Sequence, residues 1–347
     1  MATVTVLGAG MMGSALCVPL ADAGHDVRLV GTHLDAAIVE SLRESGVHPG
    51  LGLALPGRVR PFSHHELDEA MAGAEVIGVG VSSPGVHWAG MQIAPHARPN
   101  RPIVMITKGL AIQDGSITVL PEVLRARLPQ SVREKIHPAA VGGPCIAGEL
   151  ARRTPTCVVV AGQDGATLGR LASVMATDYY HVRTSTDVVA IEVCAALKNA
   201  YAMGVAFAWG MHERRGGAAG SVAMHNHEAA VFAQAVVEMQ RIVSVLGANP
   251  DCAAGLAGAG DLYVTCNAGR TGRFGRLLGL GLSRDEAVRR MEGATLEALD
   301  ILRIMREAMP LLAERGLSTS HDLPLLGHLA AVALDGAPVQ VPFGKFA

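Results

Sequence analysis

The amino-acid sequence predicts an α/β fold in two domains: a doubly wound parallel sheet over residues 1–185 and an all-α domain over residues 186–347. Two observations support this prediction. Short, apolar, β-branched segments that end in small residues recur through the first half, as in buried parallel strands. From residue 187 onward, apolar residues recur with the helical period instead. With 347 residues, 50% of them hydrophobic, the chain can build both cores.

The first strand is followed by a glycine motif. Residues 3–7 (TVTVL) precede GAGMMG at residues 8–13, a helix-like segment and a second strand, DVRLV. Strand, G-x-G-x-x-G, helix and strand within about thirty residues is the Rossmann-type dinucleotide-binding pattern. The three glycines would permit the tight turn, the approach of the pyrophosphate and the packing of helix on strand. We therefore expect NAD or NADP at the start of this helix, against Gly8, Gly10, Met11, Met12 and Gly13.

The end of the second strand lacks the acidic residue that is typical of NAD sites. Such an acid binds the ribose 2′-hydroxyl of NAD and repels the 2′-phosphate of NADP. Here Gly31, Thr32 and His33 follow the strand, and the first acid, Asp35, lies beyond the expected strand end. The sequence therefore leaves NAD and NADP both open, with Thr32 and His33 as candidate cofactor contacts. On spacing alone, a surface position explains His33 equally well.

Two more predicted strands, residues 75–83 and 101–109, end in polar residues. Ligands of parallel sheets bind at the carboxyl ends of the strands, so Ser82 and Lys108 fall where cofactor and substrate would meet. For Lys108 alone, a solvated loop lysine is an equally simple explanation. A Gly-Gly-Pro turn within residues 141–150 belongs to a further strand segment of the same domain.

The stretch EVCAALKNAY, residues 192–201, lies within a run from Val188 to Trp209 that is otherwise nearly all apolar. The run is long enough to span a bilayer. A lysine near its centre would cost about 2.5–3.5 kcal/mol on insertion, so we expect a buried helix and no membrane span. Because an unpaired buried ammonium is costly, Lys198 should meet a carboxylate or line a cavity.

A second polar group occurs in GLAGAGDLYVTCNAGRTGRFG, residues 255–275. Its glycine-rich turn presents Asp261, the best candidate partner of Lys198, and Thr265 follows. Arg270 and Thr271 have the donors to grip a phosphate or a carboxylate. A basic surface patch would explain Arg270 about as well, since two more arginines follow it closely.

Composition argues against several partner classes. The formal net charge is −2 and no Lys/Arg block occurs, so neither nucleic acid nor an anionic membrane is indicated. The 14 histidines lack the i, i+4 spacing of a helical metal site, and no metal is expected. Six cysteines without paired spacing, and an N-terminus without a basic segment before its apolar stretch, indicate reduced thiols in the cytoplasm.

Taken together, these motifs resemble the NAD(P)-dependent glycerol-3-phosphate dehydrogenases over nearly the full chain. The resemblance implies an oxidoreductase that interconverts dihydroxyacetone phosphate and sn-glycerol 3-phosphate by hydride transfer, as a cytoplasmic homodimer. The matching segments, in order, are GAGMMGSAL, ITKGL, GGPCIAGEL, EVCAALKNAYAM, GLAGAGDLYVTC, GRTGRFG and MEG.

The resemblance also implies residue roles. Lys198 matches the active-site lysine, which would give a proton to the substrate oxygen or take it back; burial makes an ammonium a better acid. Lys108 matches a lysine shared between cofactor and substrate, and Arg270 an arginine that contacts both. Asp261 would act with these lysines in catalysis. Further matched positions are Asn199, Asp261 and Thr265 toward the substrate, and Ala147 and Glu292 toward the cofactor.

Gly143 is a further residue expected to contact the substrate. Several other substrate-side positions depart from the family pattern. Cys145 replaces Ser or Thr, Gly269 replaces the Ser of bacterial members, and Thr271 replaces Asn. Residues 209–224 form an insertion in place of a short turn. A related phosphorylated polyol or ketose is therefore an alternative substrate. A non-catalytic dinucleotide-binding sensor is a less favoured alternative, since binding alone needs no buried lysine.

Overall fold

A computed structural model of the protein describes residues 1–218, 224–267 and 269–347. The chain forms two compact units: one comprises Met1–Lys108 and Val119–Val188, the other Gly109–Thr118 and Val189–Ala347. The first unit is α/β and the second is mainly helical, which confirms the predicted fold class. Segment 109–118 groups with the helical unit, whereas its position in the sequence had suggested the first domain.

The described residues form twelve strands and fifteen α-helices, with several short 3-10 segments. The strands are β1 (Thr3–Leu7), β2 (Asp26–Val30), β3 (Val47–His48), β4 (Leu53–Ala54), β5 (Val59–Phe62), β6 (Val76–Val79), β7 (Ile103–Met105), β8 (Leu110–Gln113), β9 (Ser116–Val119), β10 (Ala139–Gly142), β11 (Thr156–Ala161) and β12 (Tyr180–Ser185). The helices are α1 (Met11–Asp22), α2 (Ala36–Ser45), α3 (Leu67–Met71), α4 (Val86–Ile93), α5 (Leu120–Arg125), α6 (Gln130–Arg133), α7 (Ala147–Ala151), α8 (Gly165–Met175), α9 (Val188–Arg214), α10 (His225–Val245), α11 (Asp261–Asn267), α12 (Arg270–Gly279), α13 (Arg284–Arg289), α14 (Glu297–Glu314) and α15 (Pro324–Asp335).

Eight strands of the first unit form one sheet in the order β12-β11-β10-β7-β6-β1-β2-β5. Neighbouring strands run parallel, as predicted, except that β10 and β11 pair antiparallel. Residues 143–155, which join these two strands, contain a helix of only five residues, α7. Strand β11 follows this connection and runs in the opposite direction to β10. The sequence pattern, which is the same for both directions, did not reveal this.

Strand β1 lies inside the sheet, between β6 and β2. Because both of its faces are covered, its residues are apolar on both faces. Val4 pairs in register with Val27 of β2 and with Val76 of β6, and all three are buried. Thr5 is the one polar member of the buried part of β1, and its hydroxyl donates to the carbonyl oxygen of Ala70 at 2.6 Å. The buried hydroxyl is therefore satisfied.

Helix α9 forms the core of the second unit. By length and composition it could cross a membrane. However, 94% of its most apolar 18-residue stretch is buried inside the protein. The predicted buried helix over 188–209 is thus present and continues to Arg214, into the segment interpreted as an insertion. Residues 219–223 of that insertion lie outside the described part of the chain.

Helix α12 approaches α9 at short range because glycines line the contact. A Cβ at Gly275 would lie 2.2 Å from the carbonyl oxygen of Met203, and one at Gly279 would lie 2.2 Å from that of Phe207. No larger residue fits at either position without moving a helix backbone. This packing fixes the start of α12, and with it Arg270, relative to α9.

Glu238 of α10 is buried, and its carboxylate joins three helices of the second unit. It accepts hydrogen bonds from the backbone N–H groups of Leu325 and Leu326 at 2.7 and 2.8 Å, from the Tyr201 hydroxyl at 3.0 Å and from the Gln234 amide at 3.0 Å. The two N–H groups belong to the first turn of α15, where a helix offers them no acceptor of its own. Burial raises the pKa of Glu238 in spite of these four donors.

Replacing Glu238 with Ala should lower the free energy of unfolding by about 3–5 kcal/mol, because buried donors at the start of α15 lose their acceptor. Urea unfolding measures this loss. Glu307→Ala is the matched control, since Glu307 is an exposed carboxylate on α14 and should change stability by about 0.5 kcal/mol or less. If both variants lost the same free energy of unfolding, the Glu238 carboxylate would not stabilise the start of α15 as described.

Candidate active site

The glycine motif forms the turn between β1 and α1. At each of its three positions a different steric effect favours glycine over a larger residue. Gly8 has φ 110°, a conformation that favours glycine. A Cβ at Gly13 would lie 2.0 Å from the carbonyl oxygen of Gly8. A Cβ at Gly10, by contrast, would meet no protein atom within 4 Å. The protein therefore leaves open space in front of Gly10, at the start of α1, where a pyrophosphate fits.

Both backbone groups of Ala9, inside the motif, are held by side chains. The Asp35 carboxylate accepts from the Ala9 N–H at 3.2 Å. The Ser14 hydroxyl donates to the Ala9 carbonyl at 3.0 Å, and His48 Nε2 lies 3.0 Å from the same oxygen. Because His48 Nδ1 accepts from the Leu51 N–H at 3.1 Å, the ring proton is on Nε2 and donates to Ala9. These three side chains brace the loop.

Sequence reasoning missed this brace. It placed Asp35 beyond the strand end, whereas the side chain folds back and also accepts from the N–H and hydroxyl of Thr32, at 2.8 and 2.9 Å. In a Ser/Thr-x-x-Asp/Glu pattern the acid can reach back to the N–H of the first residue, as in a capping box, and this pattern could have signalled the return. For His48 and Ser14 the sequence carries no comparable signal, since their partner is a backbone oxygen in the folded loop.

The other candidate cofactor residues of the first unit follow neighbouring parallel strands. Thr32 and His33 follow β2, and His33 is exposed with its ring edge-on to Trp88, at 5.7 Å between centroids. Ser82 is exposed after β6. Because the carboxyl ends of parallel strands share one edge of the sheet, these residues lie along the same edge as the glycine motif.

Lys108 and Gly143 also belong to this edge, after β7 and β10. The Lys108 ammonium donates to the Gly143 carbonyl at 3.4 Å, and the Ser83 hydroxyl donates to the Lys108 carbonyl at 2.7 Å. Cys145 is half-buried, and Ala147 is buried at the start of α7. The structure thus brings two of the predicted substrate-side residues, Lys108 and Gly143, into direct contact.

In the second unit, Lys198 meets the carboxylate that the sequence suggested. Its side chain is almost fully buried on α9, with 8% of the residue exposed, and its ammonium donates to Asp261, which is 0% exposed. Asp261 is the first residue of α11, directly after a π-helical segment, Leu256–Gly260. π-Helical turns often mark functional sites, and this one sets the direction of the Asp261 side chain.

Asn199 and Arg270 converge on a residue that the sequence analysis did not identify, Glu297. The Asn199 amide donates to the Glu297 carboxylate at 2.8 Å, and the Arg270 guanidinium lies 3.6 Å from the other oxygen of that carboxylate. Glu297 opens α14, 98 residues after Asn199, and only the tertiary fold joins them. The Thr265 hydroxyl donates to the Asp261 carbonyl at 2.7 Å, within α11.

Arg270 and Thr271 are the first residues of α12, and Gly269 precedes them with φ 93°. The first N–H groups of a helix lack internal acceptors and carry the positive end of the helix dipole. With the half-exposed Arg270 guanidinium beside them, they form an arrangement suited to a phosphate or a carboxylate.

Glu292 is exposed in the turn after α13, with φ 53°. A non-glycine residue in this left-handed region is held there by its surroundings, and such residues are common at ligand sites. Its cofactor role stays a prediction. Among the residues that the structure describes, no three His, Cys, Asp or Glu side chains are grouped as metal ligands would be.

Comparisons with known proteins identify the family of this chain. Residues 3–168 match the NAD-dependent glycerol-3-phosphate dehydrogenase N-terminus, and residues 187–342 match the C-terminus of the same family. The chain is similar to the NADP(+)-dependent glycerol-3-phosphate dehydrogenase of Archaeoglobus fulgidus, at 35% identity over 337 residues that cover 97% of this chain and 96% of the relative. An NAD(P)+ glycerol-3-phosphate dehydrogenase of Desulfitobacterium hafniense is 33% identical over 88% of this chain and 82% of its own length.

The crystal structure of glycerol-3-phosphate dehydrogenase from Coxiella burnetii is also similar, with a TM-score of 0.80 at 27% identity, over 97% of this chain and 95% of that one. Both halves of the sequence thus match the two domains of one family, in order. Full-length relatives match over nearly the whole chain at 30% identity or more. The chain belongs to the NAD-dependent glycerol-3-phosphate dehydrogenase family.

Proposed function

We propose that this protein catalyses the reversible, NAD(P)-dependent reduction of dihydroxyacetone phosphate to sn-glycerol 3-phosphate. The observation that carries the proposal is the buried ion pair between Lys198, near the middle of the apolar helix α9, and Asp261 at the start of α11. Placing this pair in the core costs desolvation energy, and a purely structural role does not explain it. The family to which the chain belongs supports the reaction, and we propose that this pair takes part in it.

The first unit would hold the cofactor, which supplies the hydride when bound. Support comes from the open space before Gly10, the free N–H groups at the start of α1, and the brace that keeps Ala9 in place. The Asp35 carboxylate accepts hydrogen bonds from Ala9 and Thr32 within the protein, and the proposed cofactor is NAD or NADP. Further proposed cofactor contacts are Met11, Met12, Gly13, Thr32, His33, Ser82, Lys108, Ala147, Arg270 and Glu292.

Lys198 would move the proton. As hydride adds to the carbonyl carbon, the carbonyl oxygen becomes an alkoxide and takes a proton from the Lys198 ammonium. Asp261 accepts a hydrogen bond from that ammonium and holds Nζ at the start of α11. In the reverse direction the neutral amine takes the proton from the alcohol. Asn199 and Thr265 are proposed contacts of the substrate's oxygens.

The start of α12 would hold the substrate phosphate. Arg270 supplies a guanidinium with a planar set of donors, and Thr271 a hydroxyl and a backbone N–H. Gly269, Gly143, Cys145 and Lys108 are proposed as further substrate contacts. Glu297 pairs with Arg270 at 3.6 Å and would orient the guanidinium. A phosphorylated ligand suits this donor set because a phosphate offers an acceptor oxygen to each donor.

The alternative substrate, a related phosphorylated polyol or ketose, rests on the changes at Cys145, Gly269 and Thr271. The relatives named above are glycerol-3-phosphate dehydrogenases, which does not favour it. A non-catalytic sensor is not favoured either, since the full polar set of the helical unit is present. From the family resemblance we further propose a cytoplasmic homodimer that acts without nucleic acid or metal.

Initial rates of NADH and NADPH oxidation test the proposed reaction directly. We expect turnover with dihydroxyacetone phosphate and a KM for unphosphorylated dihydroxyacetone that is higher by about 100-fold or more, because the charge-assisted bonds to phosphate are lost. A longer ketose phosphate is the discriminating comparison. If it is turned over faster than dihydroxyacetone phosphate, the alternative substrate is correct; cofactor binding without any turnover would support the sensor.

Lys198→Arg tests the proton donor while keeping a cation beside Asp261. Arginine does not release a proton at accessible pH, so kcat should fall by about 10²–10⁴-fold. Lys345→Arg, at an exposed position near the C-terminus, is the matched control and should not change kcat. A fall of less than about tenfold with unchanged folding, measured by circular dichroism, would rule out Lys198 as proton donor.

Gly10→Ala tests the cofactor site without disturbing the fold. The added methyl group meets no protein atom but occupies the space proposed for the pyrophosphate. The Kd for NADH, from fluorescence titration, should rise by about tenfold or more with little change in Tm. Gly57→Ala is the control, because a Cβ there also meets nothing. Gly13→Ala should instead lower Tm, since its methyl group clashes with Gly8. Unchanged NADH affinity in Gly10→Ala would contradict the proposed site.

A further inference from the structure

The second unit contains a cavity that the proposed reaction does not use. It has a volume of about 870 Å³ and lies near the C-terminal end of α9, the start of α10, the turn after α12 and the segment 336–343. This volume is within the range of small-molecule sites, about 300–1,000 Å³. We propose that the cavity is a second anion site, which binds a small organic phosphate.

The wall of the cavity is strongly cationic. Arg214, Arg215 and Arg284 line it, and no Asp or Glu is among its lining residues. Arg284 is partly neutralised by Asp285, at 2.8 Å. The guanidinium groups of Arg214 and Arg215 form no ion pair with a carboxylate in the described parts of the chain. Adjacent like charges repel each other, and a bound dianion would remove that repulsion.

His227 adds a second, independent indication of a ligand. Both of its ring nitrogens are buried without a hydrogen-bond partner among the described residues, and its ring packs edge-on against Phe343 at 5.0 Å between centroids. Burial, together with the charge of Arg215, lowers the pKa of His227, which favours the neutral ring with one N–H donor. Buried polar atoms without partners are rare in proteins and indicate a water or ligand that completes them.

The remaining wall is mostly apolar, with Ser283 and Gln340 as its polar side chains, and it suits the rest of the ligand. Met211, Leu278, Val332 and Phe343 contribute side chains to it. If a phosphate group binds to the arginines and His227, the carbon skeleton of the same ligand can contact this apolar surface. An organic phosphate satisfies both parts of the wall, whereas inorganic phosphate satisfies only the cationic part.

This cavity is distinct from the Lys198 group. Lys198 and Arg214 lie sixteen residues apart on the continuous helix α9, which corresponds to about 24 Å at 1.5 Å per residue. Arg214 and Arg215 also belong to the segment by which the chain departs from its family pattern, so the proposed reaction assigns them no role.

Equilibrium dialysis of the full-length protein against radiolabelled inorganic phosphate, at constant ionic strength, tests the proposal. We expect two sites in the unaltered protein. Arg215→Gln should weaken one by about tenfold or more, Arg270→Gln should weaken the other, and the two effects should be independent. Arg315→Gln, an exposed arginine elsewhere in the same unit, is the charge-matched control and should leave both sites intact.

Two further measurements separate this site from other roles of the arginines. Phenyl phosphate should bind the Arg270→Gln protein more tightly than inorganic phosphate and shift the His227 ring resonances, while the KM for dihydroxyacetone phosphate stays unchanged in Arg215→Gln. Arg214→Gln should repeat the Arg215→Gln result. Phosphate binding that is unchanged in both variants would overturn the proposal. So would a change of sedimentation mass without a change in phosphate binding, because the arginines would then contact a second copy of the chain.

Discussion

The buried ion pair between Lys198 and Asp261 is the constraint on which the arrangement of the helical unit depends. An ammonium and a carboxylate can be buried only when they are paired with each other. Removing one partner leaves the other as an uncompensated buried charge. Helix α9 is apolar around Lys198, so little solvent competes for the ammonium. The π-helical turn before α11 then brings Asp261 to it. The same geometry leaves a proton-carrying group in a site with little water.

Glycine contacts determine where the other charged groups lie. Helix α12 approaches α9 closely enough that Gly275 and Gly279 meet backbone carbonyl oxygens, and this proximity places Arg270 at its position. In the first unit, Gly13 packs closely against Gly8, which brings the start of α1 next to β1. The free N–H groups of α1 therefore face the space before Gly10. In both units the absence of a side chain positions a group that can bind phosphate, which is a steric effect and not a property of the charges.

Much of the fold and of the candidate site could be predicted from the sequence because the relevant signals are local. The glycine motif between β1 and α1 and the apolar run of α9 each lie within one or two elements. The pairing of Lys198 with Asp261 followed from the cost of a buried unpaired charge. The brace of Ala9 by His48, and the link of Asn199 to Glu297, could not be predicted, since each joins residues far apart in sequence through atoms with no pattern of their own.

By itself, then, the sequence determined the α/β class with its helical second half, the dinucleotide motif and the need of Lys198 for a carboxylate partner, because residue type and spacing decide what a short segment can do. The tertiary structure alone decided that β11 runs antiparallel to β10, that residues 109–118 join the helical unit, and that Arg214, Arg215 and His227 line one cavity. These features depend on which elements pack together. Packing is set by the shapes of many side chains at once, and a single segment does not contain that information.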